Sequence, residues 1–87
     1  MNYAFYVDLG DMKYEDWYSM YSTPENAKKR EGWWGPEHVG KSGDNSAVIL
    51  AQVNDEKRLS AHMKMVREMA SKLGMHHSFY KLTEDGR

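Results

Sequence analysis

Cysteine is absent from this 87-residue chain. Its absence excludes disulfides, thiolate metal sites and thiol nucleophiles together. The chain also lacks charge of one sign: 12 basic against 13 acidic residues leave a formal net charge of −1. No global positive field is available to draw a nucleic acid backbone. No segment approaches the roughly 18 apolar residues of a membrane-spanning helix. The opening "MNYAFYVDLGD" has no basic lead, no long apolar core and no small-residue cleavage site, so it does not read as a signal peptide. The expectation is a cytoplasmic protein with no membrane and no nucleic acid partner.

Length is the second scarcity. A chain this short buries only about 60–65% of its unfolded surface. Without disulfides, reinforcement falls to a histidine or carboxylate metal site, or to a partner chain. What the chain does have is apolar bulk: six Tyr, three Trp, two Phe and seven Met. That load has to be buried somewhere.

Glycine and proline punctuate the chain into short elements. "NYAFYVDL", residues 2–9, is aromatic and β-rich and stops at Gly10, which predicts a strand. Tyr14, Trp17, Tyr18 and Tyr21 then recur at i, i+3, i+4 and i+7, one face of an amphipathic helix. Thr23-Pro24-Glu25 supplies a hydroxyl cap, a first-turn proline and an acid beside the positive helix end. It predicts a short second helical piece over 24–31, ended by Gly32. "HVGKSGDNSAVILAQV" reads as a hairpin, a weak strand over 36–42 and a strong one over 46–53 around the turn residues Ser42 to Asn45. Asn54 or Asp55 caps a helix whose apolar stripe is Leu59, Met63, Val66, Ala70 and Leu73, closed by Gly74. "MHHSFYKL" is the last strand. One domain over residues 1–83 and a polar tail over 84–87 account for the chain.

The order β-α-β-β-α-β, in so few residues, implies an α+β fold of the ferredoxin-like type. It has a four-stranded antiparallel sheet with helices on one face. Right-handed crossovers put strands one and three in the centre. Those central strands do not alternate apolar with polar. Tyr3, Phe5 and Val7 fall on one side, Ala4 and Tyr6 on the other. Ala47, Ile49, Ala51 and Val53 oppose Val48 and Leu50. Helices cover one face, so the other needs a cover too. A second copy packed sheet to sheet, a two-fold homodimer, is the simplest one.

The element order, the hairpin "HVGKSGDNSAVILAQVND" and the helix opening "LSAHM" resemble the dimeric α+β barrel superfamily. It includes antibiotic-biosynthesis monooxygenase-like and stress-responsive barrel proteins. The resemblance spans nearly the whole chain as a pattern, and its local match is Ala61-His62. The segment "STPENAKKREGWWGPEHV" departs from it, being longer and more polar than a plain helix-to-strand link. The resemblance implies two ferredoxin-like protomers packed face to face. It also implies a helix–sheet pocket for a flat, quinone-like or polycyclic molecule, used in some relatives without flavin or metal.

His76 and His77 are adjacent in a strand, so their imidazoles point to opposite faces and cannot hold one ion together. No histidine spacing of a metal site occurs, and no metal or cofactor is expected. His62 lies on the stripe of the long helix. There it is either a satisfied core histidine or a base in an apolar pocket. The aromatic face of the first helix packs the core, yet its phenols need partners and could border a pocket. Trp33 and Trp34 cannot both lie deep in so small a core, so at least one lines a pocket mouth or a dimer contact. Lys28, Lys29 and Arg30 read as a solvated helix face. Asp8, Asp11, Glu15 and Asp16 read as acids placed around a helix start. "GKSGDNS" lacks the spacing of a phosphate loop and reads as a turn.

The functional expectation is a pocket for a small aromatic molecule, bound or transformed by cofactor-free oxidation or isomerisation. Tyr18, Trp34 and His38 would be its ligand-binding residues and His62 its base. The alternative is a non-enzymatic dimeric interaction or regulatory module.

Overall fold

A computed structural model describes residues 1–82. The polar tail expected over 84–87, and the last residue of the domain expected over 1–83, lie outside the described residues. Seven elements follow one another: β1 (Tyr3–Asp8), α1 (Tyr14–Tyr21), α2 (Pro24–Arg30), β2 (Trp34–Gly43), β3 (Ser46–Val53), α3 (Glu56–Lys72) and β4 (His76–Lys81). The fold is α+β, with one four-stranded antiparallel sheet in the order β2-β3-β1-β4. Strands one and three are central, as the crossover rule requires.

The element order is βααββαβ rather than βαββαβ. The short piece after Thr23 is a helix in its own right. Thr23 Oγ1 accepts the Asn26 amide at 3.3 Å, and Pro24 occupies the first turn where its missing N–H costs nothing. The chain then enters β2 at Trp34, two residues earlier than expected. The register slips between Trp34 and Glu37, where Pro36 sits. Proline is tolerated there because β2 is an edge strand. The turn of the β2–β3 hairpin shrinks to Asp44 and Asn45.

Helix α3 begins at the Asp55 cap, whose Oδ1 accepts the Arg58 amide at 3.0 Å. It ends in a Schellman turn. Met75 N donates to Ala70 O at 2.9 Å across Gly74, whose φ is +72°. Gly10 is held in the same left-handed region, at φ +63°, and a Cβ there would lie 2.7 Å from Gly74 O. Only glycine lets the β1–α1 and α3–β4 turns approach so closely. The hairpin tip braces the same end of the molecule. Asn45 O accepts from Leu9 N, and Asp44 O from Tyr14 N, both at 2.9 Å.

Tyr3, Phe5, Val7, Ala47, Ile49, Ala51 and Val53 form one sheet face and are buried. With them in one core are Trp17 from α1, Trp33, and Leu59, Met63 and Ala70 from α3. The helices therefore cover one face alone. The opposite face carries Ala4, Tyr6, Val48, Leu50 and Tyr80, and the last four are exposed. Among the described residues, no helix is long and apolar enough to cross a membrane.

Candidate functional site

Between α1 and α2 on one side and α3 on the other lies a cavity of about 110 Å³. Its floor is Phe5, Val7 and Ile49 of the central strands. Trp17, Met20 and Tyr21 of α1, Arg30 of α2 and Trp34 of β2 form one wall. His62, Met63, Val66 and Ala70 of α3, with His77 of β4, form the other. Five of the seven methionines line it: Met20, Met63, Met65, Met69 and Met75. Met65, Met69 and Leu73 are themselves exposed and make its apolar rim.

Helix periodicity places these walls. On α1, Trp17 is fully buried and Met20 and Tyr21 are half-buried, so the inward stripe runs Trp17-Met20-Tyr21. Trp17 and Tyr21, four residues apart, stack with centroids 4.9 Å apart. Tyr18 falls at the outer edge of the stripe, 44% exposed, and stacks on Tyr14 rather than facing the cavity. On α3, His62 follows Leu59 by three residues and precedes Val66 by four, which turns it inward. Its ring meets Trp33 edge-on at 5.3 Å and lies 6.5 Å from Trp34.

Two of the four residues read from the sequence as pocket residues, Trp34 and His62, come together here. The other two do not. Strand parity sends His38 to the open sheet face, opposite Leu50, with the sheet between it and His62. Strand parity likewise splits the histidine pair. His76 is exposed on the open face, and His77 lines the cavity.

Arg30 corrects an expectation. Lys28 and Lys29 are exposed, but Arg30, read with them as a solvated face, is 9% exposed. Its guanidinium carbon lies 3.9 Å from the centroid of the Tyr21 ring, and its Nη2 donates to Tyr21 O at 3.0 Å. As the last residue of α2 it points back over α1, and the cation–π contact repays part of its desolvation. Glu37 is the other residue that sequence reasoning missed. Its Oε1 accepts both the Tyr21 hydroxyl and the Trp34 indole N–H, each at 2.6 Å. The need of buried phenol and indole groups for partners was the available signal. The register slip in β2, which turns Glu37 inward, was not visible.

Electrostatics keep the site neutral where it is apolar. Burial lowers the pKa of His62, and the cations Arg30 and Lys29 lower it further. Burial also lowers that of His77, with Arg67, His62 and His76 acting in the same direction. Both imidazoles are therefore uncharged at neutral pH and can accept a proton. His77 Nδ1 is buried with no hydrogen-bond partner among the described residues. Burial, reinforced by the bond to Glu37, raises the Tyr21 pKa, so this phenol stays protonated. No group of three or more metal-ligating side chains gathers among the described residues.

Compared with known proteins, the chain matches no family model, no curated protein and no solved structure.

Proposed function

We propose that this chain binds a small aromatic molecule in the helix–sheet cavity. We further propose that it works as a homodimer of ferredoxin-like protomers whose open sheet faces meet. That is the dimeric α+β barrel arrangement its sequence resembles, in a cytoplasmic setting.

One observation carries the ligand reading: an apolar void of about 110 Å³ with the neutral imidazole of His62 in its wall. An engineered apolar cavity of about 150 Å³ takes benzene. The void here is smaller, so a single ring is the most it could take. The methionines give the walls play, and a fused polycycle would require them to move. His62 is positioned to take a proton from a ring hydroxyl or from a carbon beside a carbonyl, and His77 in the same wall is a second acceptor. A proton returned to another carbon makes this isomerisation. Oxidation would send the electrons to dioxygen. Trp34 and His62 remain in the proposed site; Tyr18 and His38 do not.

The test is NMR titration with phenol. The Trp34 indole and His62 imidazole resonances are expected to shift together at millimolar phenol, and His62→Ala to weaken the response. A folded protein that shows no shift has no such site.

A second reading, a dimeric interaction module without chemistry, draws on the open face of Tyr6, Val48, Leu50 and Tyr80. It predicts the dimer without the ligand. Sedimentation at micromolar concentration is expected to give twice the 10.2 kDa protomer mass, and Leu50→Asp to give the protomer alone. A wild-type monomer would remove the dimer from both readings.

A further inference from the structure

Arg30 is the buried charged residue among the described residues, and it has no counter-ion there. The ion pairs are Lys41 with Glu15 and Asp44, and Lys81 with Glu56. The carboxylate on the same side of the sheet, Glu37, is already held by the Tyr21 hydroxyl and the Trp34 indole. A guanidinium has five N–H donors in a planar fork. Here one of them donates to the Tyr21 carbonyl. A buried cation without a counter-ion is costly, and this one borders an otherwise apolar cavity.

Its position adds a direction. Arg30 and Trp34 line both the cavity and an open groove between α2 and the start of β2, where Lys28 and the carboxylates of Glu31 and Glu37 also lie. The guanidinium thus stands at the boundary between apolar interior and solvent. A flat ring lying inside, with an acidic group at that boundary, matches both surroundings.

We propose that the occupant of the cavity is an aromatic carboxylate, its ring among the methionines and its carboxylate paired with Arg30. This deepens the aromatic-ligand reading and rests on it. The planar fork suits a carboxylate taken by two parallel hydrogen bonds. Lys29 at the same wall adds to the attraction.

The experiment compares benzoate with benzamide, which has nearly the same shape and no charge, by calorimetric titration. Charge-assisted hydrogen bonds imply benzoate binding about ten- to a hundredfold tighter. Arg30→Gln is expected to abolish that preference by bringing benzoate affinity down to that of benzamide, and Arg30→Lys to keep part of it. Equal affinities for the two probes in the wild-type protein overturn the assignment and leave the aromatic-ligand reading standing. A preference that survives in folded Arg30→Gln also overturns it. Failure of both probes to bind at millimolar concentration overturns the two together. The wild-type comparison holds whether or not either variant folds.

Discussion

Filling the cavity from within tests the site without any ligand. Ala70 is 2% exposed and lines the void from α3. Replacing it with leucine adds three carbons. Each takes up about the ~30 Å³ share of a water molecule, so together they fill most of the 110 Å³. Burying three methylenes is worth about 2.4 kcal/mol at ~0.8 kcal/mol each. Immobilising a leucine side chain returns about 0.5–1 kcal/mol of that. Leucine and alanine differ little in helix propensity. The net expectation is a gain of about 1.5 kcal/mol, or roughly 6–12 °C in Tm for a domain of this size. Thermal and urea denaturation followed by circular dichroism would read it. The same variant should lose its response to phenol. The sign is what decides. If the walls already met, the added carbons would overpack the core and cost about 1–3 kcal/mol. A fall in Tm of that size would mean that no usable void exists.

Gly10→Ala is expected to destabilise by more than about 1 kcal/mol, because φ is +63° and the new Cβ meets Gly74 O at 2.7 Å; an unchanged urea midpoint would contradict it. Tyr21→Phe removes a donor to the half-buried Glu37 and should cost about 1–2 kcal/mol, the carboxylate keeping its bond from Trp34. The depressed pKa values of His62 and His77 set a pH trend. Below the ordinary value of 6.5 the unfolded chain takes up protons that the folded chain refuses, so stability falls as pH drops below 6.5. Between pH 7 and 5 the urea midpoint of His62→Gln should fall less than that of the wild type; parallel slopes would discount burial of this imidazole.

Element types were legible because each is a local matter. The Thr23-Pro24 start, the cap at Asn54 or Asp55, the Gly74 stop and the turn within Ser42 to Asn45 are chemistry between neighbours. The period of the apolar residues named the inward faces of α3 and β1. The placement of His62 followed from that period alone. The opposite directions of His76 and His77 followed from strand geometry. Tyr18 was harder. Four aromatics at helical spacing span about 100°, an ordinary stripe, but core packing centres on Trp17, Met20 and Tyr21 and leaves Tyr18 at the outer edge. His38 was misplaced because its direction depends on a register that Pro36 shifts, and no local rule fixes that shift.

By itself, then, the sequence determined the strands, the helices, the central pair of the sheet and the inward turn of His62, since propensity, capping and periodicity act within a few residues. Only the tertiary structure decided that Arg30 is buried against Tyr21, that Glu37 binds two aromatics, and that a void remains between α1 and α3. Those depend on how separate elements pack against one another and on the register of β2. Such contacts follow from how the three helices sit on one face of the sheet, which the order of residues along the chain does not reveal locally.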